Sequence, residues 1–198
     1  MKKIVLASKS VQRKKVLEKH GYKVLVDVSH ADEHSVKEKV ISKLVVGISL
    51  LKAQTVAKRH PNSIIVAADT VVFFDGKVIG QQHSDEDARK TLKALLGETH
   101  SIYTGMTVIN TSNGVILHDV DKAQVTLNEV SHEILDDYIK SGLYKGKAGA
   151  YCIDEPTFKP FIEKIKGNRE GILGINFNKI DRLIKKSIKQ PVNVARKV

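Results

Sequence analysis

Tryptophan is absent from this 198-residue chain, cysteine occurs once, and aromatic residues make up only 5%. Each shortage excludes something. The single Cys152 rules out an internal disulfide, so the fold must be held by its core, and 41% apolar residues suffice for one large domain or two small ones. Few aromatic rings mean few stacking platforms for single-stranded nucleic acid, and no zinc-knuckle, basic-zipper or aromatic ribonucleoprotein motif is present. No stretch approaches the ~20 apolar residues that span a bilayer. The N-terminal residues lack the apolar run of a signal peptide or anchor, so a cytoplasmic location without membrane association is expected. Internal repeats, low-complexity tracts and an obvious linker are also missing.

Acidic residues are outnumbered by basic ones, which gives a net charge of +11. The excess is concentrated at the two ends: residues 1–26 and 179–198 together carry +13, leaving the middle at −2. Such a distribution suits the steering of an anionic small molecule, and equally a loosely held polynucleotide. Lys185, Lys186, Arg196 and Lys197 read most simply as solvated charge.

The chain alternates strand and helix patterns. Ile4 to Leu6 reads as a buried strand, and the helix after Ser10 is ended by Gly21. Lys23 to Val28 reads as a second strand, and Val36 to Arg59 as a long helix with Val40, Leu44, Ile48 and Leu51 on one face. Ser63 to Phe74 is a long apolar run, and Asp75-Gly76 before Val78-Ile79 signals a hairpin. A helix over 85–96, an antiparallel pair around Ser112-Asn113-Gly114, a helix over 131–141, an extended segment over 158–165 and a basic helix over 178–189 complete the pattern. Asn178 and Asp181 resemble a capping box for that last helix. The sum is an α/β protein with a mixed sheet.

Two places carry chemistry. Ser8-Lys9-Ser10 lies between a strand and a helix bearing Arg13, Lys14 and Lys15, where unpaired N–H groups and hydroxyls make an anion site. Its plain alternative is an ordinary capped turn. Asp69 stands in the run Ile64-Ile-Val-Ala-Ala-Asp-Thr-Val-Val72, where a carboxylate is costly to bury without a facing cation. Either it is a paired structural acid, or it meets the Ser8 turn, the Asp32-Glu33 pair and Lys52 at the carboxyl ends of the strands. Carboxylates beside phosphates imply a hard divalent ion such as Mg²⁺. His30 and His34 lack zinc-motif order, and Cys152 reads as a small core residue.

These residues also carry a family resemblance. Leu6-Ala-Ser-Lys-Ser10 with Arg13, Asp32-Glu33, Lys52-Ala53, Ala68-Asp-Thr-Val-Val72, His100 with Thr104-Gly105, and Lys147-Ala-Gly-Ala-Tyr151 follow the order and spacing of the Maf proteins, from Ile4 to about Ile184. The resemblance implies one elongated Maf-like domain over residues 1–198. It would have a long mixed sheet, helices on both sides and two lobes around a central cleft, as in inosine triphosphate pyrophosphatase, and is often dimeric. It implies a nucleoside triphosphate pyrophosphatase that releases a monophosphate and pyrophosphate. Asp69 would then be the general base, and Glu33 with Asp69 would hold Mg²⁺ or Mn²⁺. Ser8, Ser10 and Arg13 would receive phosphate oxygens, with Lys52 and Lys147 lining the same cleft.

The departures from the family pattern are specific. Val11-Gln12 stands where the family usually has Pro-Arg, and Gln81 where it usually has a lysine. The branch acting on dTTP and UTP usually has arginine, threonine and glutamine at the positions of Gln12, Thr70 and Asp154, and only Thr70 agrees. A carboxylate at 154 is similar to the branch acting on 7-methyl-GTP. A modified or noncanonical substrate is therefore one expectation. A catalytically weakened nucleotide sensor of the same fold is an alternative, and a nucleic-acid-binding module using the basic ends is the third reading.

Overall fold

A computed structural model of the chain describes residues 2–191. In chain order the elements are β1 (Lys2–Leu6), α1 (Val11–Lys19), β2 (Tyr22–Val26), α2 (Ile41–Ala57), β3 (Ile64–Phe74), β4 (Lys77–Ile79), α3 (Asp85–Leu95), β5 (Thr99–Asn110), β6 (Val115–Leu127), α4 (His132–Lys140), β7 (Ile162–Lys166), α5 (Arg169–Ile172) and α6 (Phe177–Lys189). The strands order as β2-β1-β3-β5-β6-β7, with β4 paired to β3. The sheet is mixed, as expected: β1 runs parallel to β2 and β3, while β4 and β7 are antiparallel to their partners. None of the helices among the described residues is long and apolar enough to cross a membrane.

The chain divides into two compact units. The first comprises Met1–Asp69, Thr104–Asp121 and Gly174–Val198, and the second Thr70–Tyr103 and Lys122–Leu173. In the first unit, Ile4, Leu6, Val66, Met106 and Val108 form a core with Leu17 of α1 and Ile180 and Ile184 of α6. A separate cluster joins Val5, Ala7, Ile65, Ala67 and Ile109 to Ala53 and Val56 of α2. Alternate residues of β1 thus serve opposite sheet faces, the period-2 rule of a strand covered on both sides. The second unit has an aromatic core in which Tyr151 stacks on Phe158 and Phe158 on Phe161, each at 4.6 Å.

Most local expectations hold. Ser10 caps α1 by accepting from the Arg13 N–H, and Gly21 follows the helix at φ +85°. Asp75 and Gly76 both have positive φ, the pair of left-handed residues a tight type I′ hairpin requires.

Three expectations need correction. The long helix begins at Ile41, after a short 3₁₀ turn at Glu33–Ser35 that Asp32 caps by accepting from the His34 N–H. Residues Pro156–Phe161 form a 3₁₀ turn before β7, because Pro160 has no N–H to give a strand ladder. The cap of α6 is Asn176, which accepts from the Lys179 N–H. Asp181 instead accepts from the Tyr22 hydroxyl at 2.7 Å and pairs with Lys185 at 2.6 Å. Arg196 and Lys197 lie outside the described residues.

Candidate active site

In the first unit the chain leaves β1 to one side through α1 into β2, and reaches β3 on the other side through α2. A reversal of this kind leaves a crevice at the carboxyl end of the central strand. The register of β1 with β3 runs to Leu6 opposite Val66, followed by an Ala7 N–H to Val66 carbonyl bond of 2.8 Å. β3 continues past that point to Asp69, so the carboxylate and the Ser8 turn emerge at the same end of β1.

Ser8 is buried, and its Oγ accepts from the Ser10 N–H at 3.2 Å and from Arg13 Nη1 at 3.0 Å. Two acceptor positions are thereby used, which leaves the hydroxyl hydrogen to donate to an incoming ligand. Arg13 Nε donates to the Gly174 carbonyl at 3.0 Å. Burial pushes the Arg13 guanidinium pKa down, while the negative charges of Asp69 and Glu33 push it back up. The guanidinium and the two acids thus sense one another electrostatically.

Lys52 joins those acids. Its Nζ lies 3.1 Å from Asp69 Oδ1 and 2.8 Å from Glu33 Oε1. Lys52 and Asp69 have side chains only 11% and 10% exposed, so this is a buried pair, whereas Glu33, at 45%, faces solvent. The placement of Lys52 follows from the rotation of α2. Its buried stripe is Val45, Ile48, Ser49, Lys52, Ala53 and Val56, which shares only Ile48 with the expected one: Val40 is 52% exposed at the N-cap, and Leu44 and Leu51 are half-buried. A Cβ on Gly105 would come within 2.3 Å of the Val45 backbone, so the bare glycine of β5 sets how closely α2 lies on the sheet. Ser49 and Thr107 then share a 2.7 Å hydrogen bond across the contact. Lys52 follows Val45 by two turns and is carried to the buried face with it.

Glu33 and Asp69 supply hard oxygen donors of the kind Mg²⁺ or Mn²⁺ takes. No group of three or more His, Cys, Asp or Glu side chains able to hold a metal occurs among the described residues, the His30–His34 segment included. A divalent ion here would use these two carboxylates together with substrate oxygens, and the donor set fits that.

Ser8, Ser10, Arg13, Glu33, Lys52 and Asp69 therefore come together in the first unit, with Gln12 on the first turn of α1. Thr70, Gln81, Lys147 and Asp154 belong to the second. There Lys147 lies on a turn whose Gly146, Gly149 and Ala150 all have positive φ. Gln81 bridges Ala148, and the Gly149 N–H donates to the Gly80 carbonyl at 3.1 Å, so Gln81 stands across from the residue next to Lys147. Asp154 does not act as a lone acceptor: Arg169 Nη2 and Nε donate to its Oδ1 at 2.9 and 3.2 Å, beside a pocket of about 410 Å³ walled by Ile153, Pro156 and Ile162. Sequence reading missed Arg169 and the contact of Gly174 with Arg13, because each meets its partner only through the fold. Cys152 is buried, and burial pushes its thiol pKa up, which is the behaviour of an inert core residue. On α6, Lys179, Arg182 and Lys185 each pair with an aspartate, so much of that basic helix is neutralised within the protein.

A family model described as Maf-like protein matches residues 3–187. The chain belongs to the Maf-like family. A Clostridium perfringens relative named dTTP/UTP pyrophosphatase is 39% identical over 180 residues, 90% of this chain and 93% of the relative. A Pyrococcus horikoshii protein of the same name is 36% identical over 186 residues, 94% of this chain and 97% of the relative. Among solved structures, the Staphylococcus aureus Ham1 protein matches with a TM-score of 0.51 at 15% identity, over 93% of this chain and 99% of that one, a likeness of fold. The range matched by the family model includes the residues around Asp69.

Proposed function

We propose that this protein is a nucleoside triphosphate pyrophosphatase, with dTTP and UTP as the first substrates to test. The observation that carries this reading is Lys52 held between Asp69 and Glu33, next to the Ser8–Arg13 cradle. Water attacks the α-phosphorus, the bond to the α–β bridging oxygen breaks, pyrophosphate leaves, and the proton lost by water passes to Asp69. Since Lys52 engages Oδ1, the lone pairs of Oδ2 are those we assign to the attacking water. Ser8 donates its hydroxyl hydrogen, Ser10 and Arg13 add further donors, and Lys52 offsets negative charge on the phosphates. Fixed donors of this kind favour the charge of the transition state over that of free substrate. Glu33 and Asp69 would hold Mg²⁺ or Mn²⁺, whose chemistry is charge neutralisation and polarisation of phosphoryl oxygens.

By resemblance the same proposal includes phosphate binding by Lys147, base contacts by Gln12, Thr70 and Asp154, a homodimer and a cytoplasmic location. The test is pyrophosphate release from a panel of canonical and modified triphosphates with Mg²⁺ or Mn²⁺. Asp69→Asn should lower kcat about 10²- to 10⁴-fold, as expected on losing a general base. Turnover undiminished by Asp69→Asn would reject the assignment of the base. Binding without turnover of any panel member would favour a sensor.

A further inference from the structure

Arg13 is held by a residue 161 positions away in the chain. Its Nε donates to the Gly174 carbonyl and its Nη1 to Ser8 Oγ, both at 3.0 Å, and two such bonds fix the orientation of a planar guanidinium. Gly174 also supplies room. A Cβ there would meet Arg13 Nε at 2.9 Å, with Cγ and Nη2 at 3.4 Å, and its φ of +106° is one that side chains rarely adopt.

The carbonyl is itself anchored. Ile175 is fully buried in the core of the first unit, and Asn176 caps α6 while its Nδ2 donates to Asp121 Oδ1 at 3.0 Å. Asp121 also receives Lys179 at 3.2 Å. The acceptor facing Arg13 is therefore carried by backbone tied down on its C-terminal side.

We infer that Gly174 is a positioning residue for the reaction, acting through Arg13 to hold the guanidinium against the phosphate cradle. The inference rests on the reading of Arg13 as a phosphate ligand. Gly174→Ala pushes the guanidinium away from the Gly174 carbonyl and Ser8 Oγ without removing its charge.

The test is a double-mutant cycle of Gly174→Ala and Arg13→Ala, read as dTTP kinetics, as inhibition by inorganic pyrophosphate and as Tm. Gly174→Ala should lower kcat/KM about 10-fold or more and weaken pyrophosphate inhibition in parallel, the scale of a misplaced charged hydrogen bond. In the Arg13→Ala background the same substitution should change either quantity by less than about twofold, and its Tm loss should shrink because the overlapping atoms are gone. The φ strain at position 174 is present in both backgrounds, so only the part of the Tm loss that comes from the overlap should disappear. If Gly174→Ala does not fold, Arg13→Lys, which keeps the charge but cannot make both bonds, should show the same parallel loss of kcat/KM and pyrophosphate inhibition. Equal effects of Gly174→Ala in both backgrounds, unchanged pyrophosphate inhibition in Gly174→Ala, or an Arg13→Lys enzyme with wild-type kinetics would overturn the inference while leaving the charge of Arg13 in place. An Arg13→Ala enzyme with wild-type kinetics would overturn the phosphate role of Arg13 and, through it, the inference.

Discussion

The two units differ most in what they bury. Among the described residues, every buried polar or charged side chain except His100 belongs to the first unit, among them Ser8, Lys52, Asp69, Asp121 and Asn176. The second unit buries rings: Tyr138, Tyr144, Tyr151, Phe158 and Phe161. Burying a charge is costly unless it is paired, whereas each aromatic ring contributes a large apolar area with no such cost. The chain thus places its electrostatic strain in one unit, around Lys52 and Asp69, and its ring packing in the other. Groups kept buried at a cost to stability are the ones to suspect of function.

The sharpest way to break that comparison is Lys52→Met. It leaves Asp69 buried without its cation, and removing one partner of a buried pair costs about 3–5 kcal/mol, with the lower end expected here because Arg13 also balances the charge. For a chain of this size that is a fall in Tm of roughly 6–12 °C. Activity should fall by about 10²-fold or more, the scale of losing one fixed transition-state donor. The double variant Lys52→Met/Asp69→Leu should recover much of the Tm and none of the activity, since apolar replacement of both partners is often neutral. Recovery of both, or of neither, would contradict the division between stability and function.

His100 is the exception in the second unit, and it sharpens the comparison by pH. It is 2% exposed, its Nε2 lies 2.5 Å from the Tyr151 hydroxyl, and its Nδ1 has no partner among the described residues. Burial pushes its pKa down to about 4. Between the ordinary histidine value of about 6.5 and pH 4, the unfolded chain binds a proton that the folded chain does not. Stability from this residue is therefore complete above that window and is lost as pH falls through it. His100→Gln cannot titrate, so the Tm difference between pH 7 and pH 4.5 should be smaller than in wild type, by the equivalent of about 2 kcal/mol. Equal acid sensitivity in both proteins would mean that His100 is not the group responsible.

How much of this was legible in the sequence depends on the range of the interaction. The Ser10 cap, the Gly21 stop and the Asp75-Gly76 hairpin follow from local backbone rules and were read correctly. Asp69 stood out because a carboxylate in an apolar strand is conspicuous whatever the tertiary fold. The stripe of α2 agrees with the pattern only at Ile48, because its rotation is set by the backbone approach at Gly105, and periodicity alone cannot supply that. Arg169 beside Asp154 and Gly174 against Arg13 were invisible, since a surface arginine and a loop glycine carry no local sign of their partners. The Asn178–Asp181 cap failed for a related reason: Asn176, two residues earlier, was free to cap while Asp181 had Tyr22 to accept from.

The smallest expected effect tests how the second unit manages without the usual lysine at position 81. Gln81 is exposed and pairs with Ala148, so a side chain there starts one residue away from Lys147. Gln81→Lys should therefore raise kcat/KM for triphosphate hydrolysis, by up to about tenfold if the new ammonium makes one charged hydrogen bond in water-accessible surroundings. Part of that gain is offset by repulsion from Lys147, and salt screens this repulsion and the attraction to the phosphates alike, so the two proteins are compared at matched ionic strengths up to about 0.15 M. A variant that folds normally and shows no gain at any ionic strength would mean that Lys147 alone meets the demand for positive charge on that turn, and that Gln81 marks no deficit.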